Sequence, residues 1–201
     1  MKILRLISSF RGTDSQSFQL GNNIVKQLQE IYPESSVQIK NLVLEEMPHF
    51  NAMHFMSFNT PLDYLTPEVR ASMRFSNEAI KELTEADIIV IDAPMYNFTI
   101  PSSLKAWIDH IVRAGVTFQY TENGVKGLIT GKKVYLSIAT GGVYSDGPMK
   151  EFDLTEKYLR NILGFIGITD ITAFRVEGSA VPALKDQALP KALEAVKAFN
   201  F

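Results

Sequence analysis

The chain has 201 residues, 46% of them hydrophobic and 21% charged, with a formal net charge of −2. That is enough for one sizeable core, and too neutral for an electrostatic grip on nucleic acid or an anionic membrane surface. There is no cysteine, which removes disulfides, thiolate metal sites and a cysteine nucleophile. The apolar run in residues 1–10 is short and interrupted by Lys2 and Arg5, unlike a secretory signal, and no segment reaches the roughly 20 apolar residues of a membrane span. The cytoplasm is the expected compartment.

Ile3-Leu4-Arg5-Leu6-Ile7, ending at Ser8-Ser9, predicts a first strand. Apolar residues at Phe18, Leu20, Ile24, Val25, Leu28 and Ile31 then recur near the helical period, with Ser15 as a cap and Tyr32-Pro33 as the stop. Val37-Gln38-Ile39 predicts a second strand, and residues 45–66, rich in Met, Phe, Asn and His, show no clear pattern. Thr66-Pro67-Glu68 opens a helix expected to run to about Ala86, with a cap and a proline at its first position. Ile88-Ile89-Val90-Ile91 is the uninterrupted β-branched run of a strand buried on both faces. Helices are expected over 103–112, 150–163 and 182–201, and strands over 134–139 and 171–176. Residues 115–124, with Asn123-Gly124, predict a hairpin.

Strands separated by helices predict an α/β fold, a five-stranded parallel sheet covered on both faces within one domain spanning 1–201. The length and spacing favour the flavodoxin-like order 2-1-3-4-5 over a six-stranded dinucleotide fold. Ligands of such sheets sit beyond the strand carboxyl ends, at the switch between strands one and three.

Three loops lie there. After strand one, Ser9, Ser15, Gln16 and Ser17 open a helix whose unpaired N–H groups favour an anion. The loop has neither a Walker A ending nor Gly-x-Gly-x-x-Gly, and suits one monophosphate; an ordinary serine-capped helix would explain it as well. After strand three, Met95, Tyr96, Asn97 and Phe98 stand between Pro94 and Pro101, a stiffened aromatic platform for a flat ring or a loop packed on its own sheet. After strand four, Ala139-Thr140-Gly141-Gly142 permits close approach of backbone to a ligand, though a tight turn would need the same residues.

These stretches, together with Arg113-Ala114-Gly115-Val116-Thr117-Phe118, Tyr120-Thr121-Glu122-Asn123-Gly124, Gly131-Lys132-Lys133 and Gly164-Phe165-Ile166-Gly167-Ile168-Thr169-Asp170, resemble the FMN-dependent NADH-azoreductases. That family comprises homodimeric NAD(P)H:quinone oxidoreductases of flavodoxin-like fold, and the match runs along nearly the whole chain. The resemblance implies one FMN per subunit, its phosphate on Ser9 and Ser15 to Ser17 and its ring between Met95–Phe98 and Ala139–Gly142. It implies two-electron transfer from NADH or NADPH to quinones and to azo compounds. The chain departs from related enzymes at Ala139-Thr140, where Ser-Arg often precedes Gly-Gly, and at Gln119, where a basic residue can occur.

With no dinucleotide fingerprint, the nicotinamide is expected to be a diffusible donor, and turnover to be a ping-pong hydride transfer in which no side chain is an essential acid or base. Tyr120 is a candidate to cover the ring or to reach across a subunit boundary, and Met53, Phe55 and Phe58 are candidates for a pocket lid or a dimer contact. His49, His54 and His110 lack metal-ligand spacing, Asp109-His110 is not expected to act as a dyad, and Trp107 is expected in the core. A flavodoxin-type electron carrier and a general NAD(P)H:flavin reductase are the competing readings.

Overall fold

The computed structural model describes residues 1–45 and 47–201. In chain order its elements are β1 (Lys2–Ile7), α1 (Gln16–Ile31), β2 (Ser36–Asn41), α2 (Ala52–Asn59), α3 (Pro67–Ser72), α4 (Arg74–Glu85) and β3 (Ile88–Pro94). These are followed by α5 (Ser102–Ile111), β4 (Phe118–Thr121), β5 (Gly124–Gly127), β6 (Lys133–Ala139), α6 (Leu154–Phe165), β7 (Asp170–Val176) and α7 (Lys185–Ala198). Five strands form a parallel sheet in the order β2-β1-β3-β6-β7, with β4 and β5 a separate antiparallel hairpin. With the hairpin set aside, this is the expected order 2-1-3-4-5.

Side-chain alternation along the strands sorts the core into two layers. Ile3, Ile88 and Val90 pack with Leu20, Ile24 and Leu28 of α1 and Val196 of α7. Leu4, Leu6, Ile89 and Ile91 pack on the other face with Leu83 of α4, Trp107 of α5 and Leu163 of α6. Every residue of β3 is buried, as its unbroken apolar run predicts, and Trp107 lies fully in the core.

Five expectations need correction. Part of the unpatterned stretch 45–66 is helical: Asn51 caps α2 by accepting the N–H groups of Met53 (3.0 Å) and His54 (3.2 Å), while the Asn51 N–H donates to His54 Nδ1 at 3.2 Å. Its apolar residues Met53, Phe55 and Met56 face outward, so its pattern did not read as an inward-facing helical stripe; Glu46 lies outside the described residues. The helix expected from Thr66 to Ala86 has its predicted cap, Thr66 Oγ1 accepting the Val69 N–H, but breaks at the buried Met73 into α3 and α4. The helix expected from 150 begins only at Leu154, where Asp153 accepts the N–H groups of Thr155 and Glu156; a 3-10 turn, Lys150–Phe152, precedes it. In the hairpin, Thr121 pairs with Gly124, so Glu122 and Asn123 are the turn and Gly124 (φ +104°) begins β5. The closing helix is also shorter than expected, Lys185–Ala198.

Candidate active site at the carboxyl ends of the sheet

The loop leaving β1 brings three hydroxyls together at the start of α1. Ser9, Ser15 and Ser17 are all buried, and the Ser15 and Ser17 hydroxyls lie 2.9 Å apart. Ser15 occupies the N-cap position with extended backbone, yet its side chain makes no capping hydrogen bond. The first-turn N–H groups of a 16-residue helix are therefore left to an outside acceptor, at the end where the helix dipole favours negative charge. Gln16 follows as the first helical residue.

The loop leaving β3 is a tight turn of unusual backbone. The Tyr96 N–H donates to the Thr99 carbonyl at 2.9 Å and the Thr99 N–H to the Tyr96 carbonyl at 3.2 Å. Between them Asn97 and Phe98 both have positive φ, +50° and +69°. Asparagine tolerates this region, but a phenylalanine there is strained, and strain of this kind concentrates where a ligand is held. Both side chains are exposed. Phe98 is braced from behind: its carbonyl accepts the Leu154 N–H at the start of α6, and its ring meets Phe152 at 5.4 Å.

Two contacts join the loops. Ser9 Oγ lies 3.4 Å from the Tyr96 hydroxyl, and the Met95 N–H donates to the Ala139 carbonyl at 2.9 Å. The third loop is shaped by Thr140, whose hydroxyl donates to the Gly142 carbonyl at 2.8 Å, and by Gly178, whose N–H donates to that same carbonyl at 2.9 Å. Glu177 accepts the N–H groups of Tyr144 and Ser145, both at 2.8 Å, and the Ser145 hydroxyl. Burial pushes the Glu177 carboxyl up, but those donors and Arg175 together hold it below its ordinary range. Arg175 also pairs with Asp153 at 2.6 Å and Glu156 at 2.7 Å. One guanidinium thus ties the glycine loop to the start of α6, which holds Phe98.

All twelve residues nominated after β1, β3 and β6 therefore lie at one end of the sheet. Phe10, absent from the sequence-based set, stacks on Tyr96 with ring centroids 4.6 Å apart. An open cleft of about 890 Å³ lies beside this stack, walled by Met95, Tyr96, Val43, Pro101, Lys105 and Tyr158 among others. Val43 and Tyr158 follow from packing between elements far apart in sequence, and no local motif marks them. Among the described residues, Met53, Phe55, Phe58 and Tyr120 do not line this cleft. Phe58 instead packs on Phe50 at 5.2 Å and under the Arg113 guanidinium at 5.0 Å. Met53 and Phe55 point outward from α2, and Tyr120, 75% exposed, stands on the hairpin.

His54 and His110 have packing roles. His49 is exposed, whereas His54 and His110 are buried with ring centroids 4.7 Å apart. His110 Nε2 donates to the Pro48 carbonyl at 2.9 Å, and Asp109 turns away to bind Lys105. The pair Asp109-His110 is not a dyad. Burial lowers the pKa of His54, as does its neighbour His110; burial also lowers that of His110, against the opposing pull of the Pro48 carbonyl and Asp109.

Buried hydroxyls at the uncapped start of α1, joined to a strained aromatic turn, lie at the switch point of a doubly wound sheet, where α/β proteins of this class bind their ligands. The chain belongs to the flavodoxin-like fold family, whose model matches residues 1–199. It is 46% identical over 182 residues to the FMN-dependent NADH:quinone oxidoreductase of Herminiimonas arsenicoxydans, an alignment covering 90% of this chain and 89% of that one. Among solved structures it is similar to an azoreductase from Bacillus anthracis, with 30% identity, a TM-score of 0.91, and 98% and 96% of the two chains covered. It is also similar to an FMN-dependent NADH-azoreductase of the same species in complex with FMN, with 26% identity, a TM-score of 0.84 and 98% of each chain covered.

Proposed function

We propose that this chain is an FMN-dependent NADH:quinone oxidoreductase that also reduces azo compounds, built as a single flavin-binding domain. The observation that carries this reading is the uncapped start of α1, ringed by the Ser9, Ser15 and Ser17 hydroxyls and joined through Tyr96 to the Asn97-Phe98 turn. FMN has one phosphate and one flat ring system, and the donor set fits both ends. Ser9, Ser15, Gln16 and Ser17 would hold the phosphate with neutral hydroxyl, amide and backbone donors. Met95 to Phe98 would face the ring from one side and Ala139 to Gly142 from the other.

Bound FMN supplies two-electron chemistry, taking reducing equivalents from NADH or NADPH and passing them to a quinone or, in two rounds, to an N=N bond. The chain's own work is positioning. The turn hydrogen bonds of Tyr96 and Thr99 and the Phe98–Leu154 bond fix the platform. The cleft beside Tyr96 has room for a flat acceptor. No side chain is proposed as an essential acid or base.

We further propose a cytoplasmic homodimer; no helix among the described residues is long and apolar enough to cross a membrane. The dimer is supported by Met53, Phe55 and Met56 on α2 and by Tyr64 and Tyr120, large apolar side chains left exposed on one chain.

The test is anaerobic. Protein loaded with FMN and mixed with NADH should lose its yellow colour before any acceptor is added, and regain it when a quinone is supplied. A flavin that stays oxidised under NADH would refute the reading and leave that of an electron carrier; flavin released during turnover would favour a flavin reductase.

A further inference from the structure

Beneath the first two turns of α1 lies a buried polar seat that no step above uses. Alternation puts Arg5 of β1 on the same face as Ile3, and Asp92 of β3 on the same face as Ile88 and Val90. Asp92 and Ser137 of β6 are direct neighbours in the sheet. Arg5 is 2% exposed, and Asp92 and Ser137 are wholly buried. Arg5 Nε and Nη2 donate to Asp92 Oδ2 at 3.1 and 2.7 Å. The same guanidinium reaches up to α1: Nη2 donates to the Phe18 carbonyl at 2.7 Å, Nη1 donates to Asn22 Oδ1, and the group lies 4.5 Å over the Phe18 ring. Ser137 Oγ donates to the Ser17 carbonyl at 2.7 Å.

The helix turn that carries Ser15 and Ser17 is therefore held from below by side chains of three strands. Burying an ion pair is a poor route to stability, since well-packed apolar residues of similar volume often do as well. Its value lies in direction. The Phe18 carbonyl is held by a planar group that Asp92 keeps from rotating, and the Ser17 carbonyl by a hydroxyl on the adjacent strand. Burial pushes the Asp92 carboxyl up to about 7 against the pull of Arg5, and its Oδ1 has no hydrogen-bond partner among the described residues. Asp92 is thus tied into this seat through one oxygen alone.

We propose that Arg5, locked by Asp92, is a positioning residue for the FMN phosphate, setting the Ser15–Phe18 turn so that its N–H groups and hydroxyls converge on one anion. The proposal rests on the FMN reading above. It predicts an effect confined to the phosphate end, which comparison of FMN with riboflavin isolates because riboflavin lacks the phosphate.

The experiment is fluorescence titration of apoprotein with each flavin, for the wild type, Arg5→Lys, and Arg5→Met/Asp92→Leu; the double variant removes both charges so that neither is orphaned. The double variant should weaken FMN binding about tenfold, the scale of a hydrogen bond to a charged group, while changing riboflavin binding less than about twofold. Arg5→Lys should recover part of the FMN-to-riboflavin ratio. The 31P resonance of bound FMN should shift in the double variant. Equal weakening of both flavins, or an unchanged ratio, would overturn the proposal. A wild type that binds riboflavin as tightly as FMN would overturn it too, together with the phosphate role of Ser9, Ser15, Gln16 and Ser17, while leaving a flavin-binding protein. A wild type that binds neither would remove that reading and the proposal with it.

Discussion

Gly21 sits in the middle of α1, where an alanine is ordinarily preferred by about 1 kcal/mol. Here a Cβ would fall 1.8 Å from Asp92 Oδ1 and 2.7 Å from its Cγ. The carboxylate cannot turn away without losing its bonds to Arg5. Breaking a buried ion pair costs about 3–5 kcal/mol, so Gly21→Ala should lose about 3 kcal/mol net once the helix preference is credited. For a chain of this size that lowers Tm by roughly 6–12 °C. Gly164 of α6 is the control: a Cβ there meets nothing within 4 Å, so Gly164→Ala should raise stability by about 1 kcal/mol. Circular-dichroism melts and urea titrations of the two variants decide the matter. A Gly21→Ala protein as stable as the wild type would refute the close packing of α1 on Asp92.

Two further outcomes follow from the same geometry. Phe98→Gly should be more stable than Phe98→Ala by about 1 kcal/mol in urea titration, the reverse of the usual order, because both lose the ring and only glycine is unstrained at φ +69°; alanine equal to glycine would deny the strain. His54 and His110 both have pKa values depressed by burial, so the unfolded chain takes up protons first as pH falls below about 6.5, and stability drops with it. Protonating His110 would place a proton on its buried Nδ1, which has no partner among the described residues. A His54→Gln/His110→Gln variant should show a flatter dependence on pH in urea titrations between pH 7 and 5; equal slopes would count against it.

The legible parts of this molecule are those decided by neighbours in sequence. Ile88 to Ile91 could only be a doubly buried strand, and Ser15 and Thr66 marked helix starts to within a residue. Strand order then placed three loops at one sheet end, and family resemblance gave them roles. Where local signals compete, the reading blurred. Met53, Phe55 and Met56 of α2 face outward, so no inward stripe announced a helix. A capping Asp153 lay three residues beyond the expected start of α6. The strain at Phe98 has no local signature either, since phenylalanine is a poor choice for positive φ and only the fold imposes it.

Arg5 shows why the remainder stayed hidden. In the chain it is a charge interrupting an apolar strand, and the period of two assigns it a face but no partner. Its partner is 87 residues away, and the room that partner takes under the helix is left by a third residue, Gly21, whose absent side chain is what Asp92 fills. Each is anomalous alone: a charge in a core strand, an acid at a buried strand end, a glycine in a helix interior. Together they account for one another, because a buried guanidinium needs a carboxylate and that carboxylate needs room under the helix. Asn22 and Phe18 lie on the same helix as Ser15 and Ser17 and take the other guanidinium donors. The pair therefore couples the interior of the sheet to the Ser15–Phe18 turn, and a substitution at any one of Arg5, Gly21 or Asp92 acts on all three.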